Sequence, residues 1–327
     1  MIISRTPFRI SFFGGGSDYP SWYENNNGQV LSTTINKYCY INIRYLPKFF
    51  SYNYRIRYYK TEEANKISDI EHPVVREALK YFSIKDGIEL VHNADLPAQS
   101  GLGSSSTFTV GLINALHTLK KEIATKRMLA SAAIELEQNI IKENVGSQDQ
   151  VAAAFGGFNN IKFSKNNFHV NQLPLSKEKL KKLEDNLMLF FTGFQRSASS
   201  IAAKQIKSIK QNKIDLSNSA NLVNEGMDIL LKNKKINDFG KLLDEQWKIK
   251  QMYSDQITNE NINNIYESAM KAGAIGGKLL GAGGGGFMLF YVSKKDQNAV
   301  RDSLKKLLYV PFEFENNGSQ IVYFSNQ

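Results

Sequence analysis

The run Pro97-Ala-Gln-Ser-Gly-Leu-Gly-Ser-Ser-Ser106 has the composition of an anion site. Gly101 and Gly103 remove side chains where a backbone must bend tightly and approach a ligand. Ser104, Ser105 and Ser106 fall where an apolar, helix-periodic segment, Phe108 to Leu119, should begin. The first N–H groups of a helix lack partners within it, and the macrodipole adds partial positive charge there. Phosphate is the usual anion of such a place. No Gly-Lys-Ser/Thr closes the loop, so it is not a Walker A loop, and its spacing is not that of a dinucleotide fingerprint. Read alone, it fits a Ser-capped helix as well as a nucleotide cradle.

These residues need elements to position them. Tyr38 to Tyr45 alternates as a strand, with Cys39, Ile41, Ile43 and Tyr45 on one face. A short helix is expected over 74–82 and a strand over Ile88 to His92, leading into the loop. Helices are expected over Phe108–Leu119 and Lys126–Ile141, the second with Leu129, Ala133, Leu136 and Ile140 on one face. A short helix to Phe155 should end at Gly156-Gly157. A strand at Asn186–Phe191 opens a second region, with helices over 197–213, 218–232, 236–252 and 260–272. Gly276 to Gly286 reads as a second Gly-rich loop, followed by a buried strand, Phe287–Val292. A helix over 295–308 and a strand, Ser319–Phe324, close the chain. The order is mixed, without regular βαβ spacing, which favours an α+β fold of two lobes. A polar break places the division at 1–172 and 173–327.

The chain has 327 residues, 42% of them hydrophobic, enough for two ordinary domains with a proper core. No apolar run approaches the length of a membrane span. Arg5 and Arg9 interrupt what would be the apolar region of a signal peptide. Cys39 is the single cysteine, which excludes an internal disulfide and a cysteine metal cluster. His72, His92, His117 and His169 lack metal-site spacing. A cytoplasmic protein is expected. The formal charge of +10 favours anionic ligands. Lysines are spread over helix faces with acids nearby, and no nucleic-acid fold signature is present. The aromatic stretch Phe49 to Tyr59 reads as strand and hairpin packing, with an adenine wall as the alternative.

Two further blocks accompany the loop. One is Thr6-Pro-Phe-Arg-Ile-Ser-Phe-Phe-Gly-Gly-Gly-Ser-Asp18, and the other is Gly276-Gly-Lys-Leu-Leu-Gly-Ala-Gly-Gly-Gly-Gly-Phe287. Glu137 and Gly146-Ser-Gln-Asp-Gln150 lie between. In this order the blocks resemble the GHMP kinases, the superfamily of galactokinase, homoserine kinase and mevalonate kinase. With Thr192-Gly-Phe-Gln-Arg-Ser-Ala-Ser199, Val310-Pro-Phe-Glu-Phe-Glu315 and Gly318-Ser-Gln-Ile-Val-Tyr323, the likeness runs nearly end to end. It is nearest the heptose 7-phosphate kinase branch of bacterial surface-polysaccharide synthesis, whose pattern fucokinase-like relatives share.

The resemblance implies a two-lobed GHMP kinase fold with the site in the cleft between lobes. It implies ATP and Mg²⁺ as cofactors and phosphorylation of the anomeric hydroxyl of D-glycero-D-manno-heptose 7-phosphate. Pro97, Ser100, Gly101, Leu102, Gly103, Ser104, Ser105 and Ser106 would wrap the ATP phosphates. Ser105 and Glu137 would hold Mg²⁺, which takes hard oxygen ligands and keeps several waters. Asp149 would face the attacking hydroxyl as base or orienting group, and Arg9 would sit beside it and offset charge on the transferring phosphoryl group. Asp18, Gly15 and Gly16 would meet the sugar, with Gly283 and Gly284 closing that side and supporting the first loop.

A second phosphate needs its own pocket, for which Arg196, with Ser197 and Ser199, is the candidate, ahead of Arg44 and Lys278. Plainer readings stand beside these. Glu137 could be a solvated helix carboxylate, Arg9 a surface ion pair and Asp18 a cap for the segment at Tyr19-Pro20. Ser147 or Asp149 could cap a helix, and so could Ser197 or Ser199. The expected partners are a small-molecule sugar phosphate and ATP, with no nucleic acid and no membrane; a homodimer is one option for assembly. The rival functions are a kinase for another sugar, such as fucose or mannose, and a catalytically silent sugar or nucleotide sensor.

Overall fold

Phe8, Ile10 and Phe12 alternate along the first strand, and all three are buried. A computed structural model describes residues 1–193, 198–210, 216–232 and 234–325, apart from the side chains of 198–200 and 210. The chain begins with β1 (Ile2–Phe13), α1 (Pro20–Asn26), β2 (Gly28–Tyr45), β3 (Tyr54–Arg57), β4 (Thr61–Ala64), α2 (Pro73–Tyr81) and β5 (Ile88–Ala94). It continues with α3 (Ser104–Leu119), α4 (Lys126–Ile134), α5 (Gln148–Phe155), β6 (Phe158–Ser164), β7 (Asn167–Gln172), α6 (Lys177–Glu184) and β8 (Leu187–Phe191). Next come α7 (Ala198–Lys210), α8 (Ser217–Leu231), α9 (Asn237–Gln251), α10 (Glu260–Lys271), β9 (Ala274–Leu279) and β10 (Phe287–Val292). The chain closes with α11 (Gln297–Ser303), β11 (Leu308–Tyr309), β12 (Phe314–Glu315) and β13 (Gln320–Phe324).

The first sheet is organised by β2. One edge of β2 pairs with β1 along nearly its whole length. The other edge pairs with β6 over Gly28–Thr33 and with β5 over Cys39–Tyr45. The late strands β12 and β13 return to this sheet, on β2 and β1 respectively. β13 pairs only with Ile2 to Arg5, so the half of β1 that carries Arg9 and Ser11 is left for other partners.

The second sheet has the order β11-β8-β10-β9. Every residue of β10 is buried, the continuous apolar pattern of a strand covered on both faces. Phe287, Leu289 and Tyr291 face the main core, whereas Met288, Phe290 and Val292 join a second cluster with Trp247, Ile262 and Ile201. Helix α9 packs on β9, β10 and β1, and so ties the two sheets together.

Three expectations change. The Gly-rich run at 276–286 is not one loop, because Gly276, Gly277 and Lys278 belong to β9. A Cβ on Gly276 would lie 2.0 Å from the Gly240 carbonyl oxygen, and one on Gly277 would lie 2.5 Å from the Phe290 ring. These glycines serve close packing, and only 280–286 turns. The helix expected over 295–308 is shorter, a 3₁₀ turn and then α11, with β11 taking Leu308. The helix over Lys126–Ile141 is α-helical only to Ile134 and then widens into a π-helical turn, Glu135–Ile140. That widening sets Leu136 and Glu137 inward together.

Candidate active site

Arg9 points away from Phe8 and Ile10, as the alternation of β1 requires, but toward other protein and not solvent. Its guanidinium donates Nε to Asp149 Oδ1 at 2.7 Å and Nη2 to Oδ2 at 2.8 Å. Nη1 donates to the Gly101 carbonyl at 2.8 Å, and the Arg9 amide donates to the Leu102 carbonyl at 3.2 Å. The Arg9 side chain is 5% exposed and that of Asp149 is 24% exposed. A two-pronged guanidinium–carboxylate pair fixes the plane of the carboxylate as well as its distance. The surface ion pair considered for Arg9 is replaced by this buried one.

Asp149 is free for that pairing because other groups serve the start of α5. Ser147 makes no capping bond; its hydroxyl accepts from Gln138 Nε2 at 3.0 Å and pairs with the Tyr23 hydroxyl. Asp18 reaches in instead and accepts from the Gln148 amide at 3.3 Å, and from the Gly16 amide at 3.0 Å. Asp18 therefore caps α5 from a distant segment and does not cap α1, whose start has no side-chain cap. Its carboxyl is held above the usual carboxylate range by burial first and by the negative charge of Asp149 second. Gly146 leaves it room, since a Cβ there would fall 1.9 Å from Asp18 Oδ2. Gly15 faces open space, with Gln148 Nε2 the nearest atom to its missing Cβ at 4.0 Å.

The 97–106 segment turns as its glycines suggest. Gly101 and Gly103 have φ of +83° and +78°, backbone that glycine adopts without strain. Pro97 is exposed, Ser100 and Leu102 are buried, and the Ser104 hydroxyl accepts from the Gln99 amide. Helix α3 starts at Ser104, with the Ser105 side chain open to solvent. A second backbone supports the loop. A Cβ on Gly101 would lie 2.5 Å from the Leu280 carbonyl oxygen, one on Gly281 2.4 Å from Gly101 Cα, and one on Gly286 2.3 Å from the Ser100 carbonyl oxygen. Gly283 and Gly284 pack instead on Ile257, whose carbonyl accepts from the Gly284 amide at 2.9 Å.

Glu137 is fully buried and not the solvated carboxylate considered above. Its Oε2 accepts from Ser106 Oγ at 2.8 Å and from Gln150 Nε2, while Oε1 is buried without a partner. Burial pushes its carboxyl up to about 7, against the opposing pull of Thr109, Ser106 and Gln150. A buried carboxylate oxygen left unpaired is a hard oxygen donor of the kind a divalent cation takes. No cluster of three or more His, Cys, Asp or Glu suited to a metal occurs among the described residues. The orphan oxygen fits Mg²⁺, which takes one or two protein ligands and completes its shell with phosphates and water. Ser106 meets Glu137, and Ser105, its neighbour, lies on the open side.

The raised carboxyl has a consequence for stability. A folded pKa of about 7 against an unfolded value near 4.5 gives a contribution present below the unfolded value and lost as pH rises through about 7. Glu137→Gln removes that loss. Without Mg²⁺, the variant should melt higher than the parent at pH 8 and show no such advantage at pH 5. A thermal melt at the two pH values checks this.

Arg196, Ser197 and Ser199 lie outside the described residues or side chains. Arg44 pairs with Glu89 near the far end of β2. Lys278 is buried, and its ammonium donates to the Ser11 and Phe12 carbonyls, which removes it from phosphate binding. The sequence gives no role to Gln148 or Gln150 beyond their place in Gly146-Ser-Gln-Asp-Gln150. For Lys250, described below, it gives none.

A glycine turn at the start of a helix, a buried orphan carboxylate and an arginine-held aspartate stand together, a set of groups suited to phosphoryl transfer. Residues 71–157 match the GHMP kinases N terminal domain, and residues 229–310 match GHMP kinases C terminal. The chain is 31% identical to the D-glycero-alpha-D-manno-heptose 7-phosphate kinase of Campylobacter jejuni, over 97% of each chain. It is a member of the GHMP kinases, and within them an ATP-dependent sugar kinase. A crystal structure of a D-glycero-D-manno-heptose 1-phosphate kinase from Bacteroides thetaiotaomicron superposes with a TM-score of 0.78 at 26% identity, over 100% of both chains. A galactokinase from Lactococcus lactis shares the fold at a TM-score of 0.74 and 18% identity, over 98% of this chain and 94% of that one. No helix among the described residues is long and apolar enough to cross a membrane.

Proposed function

We propose that the protein transfers the γ-phosphoryl group of ATP to the anomeric hydroxyl of D-glycero-D-manno-heptose 7-phosphate, giving the 1,7-bisphosphate. The observation that carries this reading is the end-to-end 31% identity to a heptose 7-phosphate kinase, set on a site whose parts suit phosphoryl transfer. Such transfer depends on positioning and charge neutralisation more than on covalent chemistry by the protein. The anomeric oxygen attacks the γ-phosphorus, the bond to the β-bridging oxygen breaks, and ADP leaves with that electron pair.

Asp149 accepts the hydroxyl proton on a carboxylate oxygen. Arg9 holds that carboxylate in one plane and sets positive charge beside the transferring group. The amides at the start of α3 bind the phosphates. Asp18 orients the sugar through its carboxylate. Glu137 and Ser105 would hold Mg²⁺, which when bound neutralises the phosphate oxygens.

The test is Mg²⁺-dependent ADP release with heptose 7-phosphate, free heptose, mannose, mannose 6-phosphate and fucose, with phosphorus NMR of the product. Turnover of heptose 7-phosphate alone, with a new anomeric phosphate signal, is the expected result. Turnover of fucose instead would overturn the substrate and leave the family, in line with the 29% identity to the L-fucokinase/L-fucose-1-P guanylyltransferase of Bacteroides fragilis over 75% of this chain.

A further inference from the structure

Lys250 is buried near the end of α9, and no carboxylate pairs with it among the described residues. Its ammonium donates to the Leu279 carbonyl at 2.8 Å and to the Gly281 carbonyl. A lysine is almost never fully buried unless its charge is answered, so carbonyl oxygens alone are a costly set of partners. The titratable groups that face it are the Arg9 guanidinium on β1 and Lys278 on β9, whose own pKa is pulled well below the usual lysine value by burial. Burial first, and Arg9 second, pull the Lys250 pKa down to about 7.

The place of Lys250 explains why such a group would be kept. Gly281 packs directly on Gly101, and the Gly101 carbonyl holds Arg9, which holds Asp149. One turn earlier on the same face of α9, Gln246 accepts from the Gly14 amide at 3.0 Å. A single face of α9 thus grips the glycine turn of the first block through Gln246 and the backing of the phosphate loop through Lys250. We infer that Lys250 is a positioning residue for nucleotide binding: its ammonium fixes Gly281 against Gly101 and so sets the phosphate loop, and its charge answers the polyphosphate held in front of it.

The inference rests on the 97–106 loop being the phosphate cradle, so the experiment separates the two. ADP affinity is measured by calorimetry, without sugar, for the parent, Lys250→Met, Gly281→Ala, Lys278→Met and Gly101→Ala, each checked by thermal melting. Lys250→Met should bind ADP at least tenfold more weakly. Gly281→Ala, which pushes on the same contact without touching the lysine, should do the same and decides the matter if Lys250→Met fails to fold.

Lys278→Met, which removes an equally buried ammonium that holds only β1 carbonyls, should lower the melting temperature and keep ADP affinity within twofold. The parent's affinity should fall as pH rises from 7 to 9, as Lys250 loses its proton, and Lys250→Met should lose most of that slope. Parental affinity in both Lys250→Met and Gly281→Ala, or an equal loss in Lys278→Met, would overturn the inference. Parental affinity in Gly101→Ala would overturn the reading of the loop itself.

Discussion

Asp149→Asn is expected to lower kcat by about 10²- to 10⁴-fold, the range that a positioned proton acceptor contributes. Asn keeps the shape and one acceptor oxygen, but its NH2 sets a donor against the second Arg9 donor, so some stability is lost while the ADP affinity should change little. The loss should then sit in kcat and not in KM for ATP. The physical basis is the geometry: Asp149 is anchored through both oxygens by Arg9, yet its side chain keeps 24% exposure on the side open to substrate. Steady-state kinetics with a calorimetric check of ADP binding would decide. A parental kcat in this variant would remove Asp149 from proton transfer and leave it as the holder of Arg9.

Arg9→Met carries the second large effect, and it should appear in both stability and rate. The guanidinium donates three side-chain hydrogen bonds, two to Asp149 and one to the Gly101 carbonyl, with 5% exposure. Removing one partner of a buried ion pair costs about 3–5 kcal/mol, and the partial exposure of Asp149 puts the expected cost at or below the lower end. Loss of a donor beside the reacting phosphoryl group should lower kcat by about 10²- to 10³-fold. Urea unfolding measures the first effect and kinetics the second. Arg9→Lys separates them, because it keeps a charge but cannot make the planar fork. A stability loss with parental kcat would make Arg9 structural only.

Much of this was legible in the chain because it is local chemistry. Gly101 and Gly103 announced a turn that only positive φ satisfies, and the apolar period from Phe108 announced the helix behind it. Alternation placed Phe8, Ile10 and Phe12 in the core and Arg9 opposite them. A continuous apolar run made Phe287–Val292 a covered strand. The three glycine blocks and the acidic residues between them point to the kinase family from sequence alone.

What local pattern could not supply was which atoms meet across long separations. Gly276 and Gly277 looked like loop residues, since a sequence cannot distinguish glycine needed for a turn from glycine needed to let Gly240 or Phe290 approach. The burial of Glu137 depends on a π-helical turn that shifts the face of its helix, and the α-helical period does not predict that shift. Asp18 caps a helix 130 residues away in sequence, whereas capping rules read only the neighbouring residues. The sequence by itself determined the residue types, the turns and the periodic faces, because these follow from backbone sterics and from burial of one side of an element. The tertiary structure alone decided the two-pronged geometry and burial of the Arg9–Asp149 pair, the stacking of Gly281 on Gly101 and the burial of Lys250. Those contacts join the first sheet to α5, α9 and the turn after β9, and their energies come from desolvation and geometry that no single segment contains.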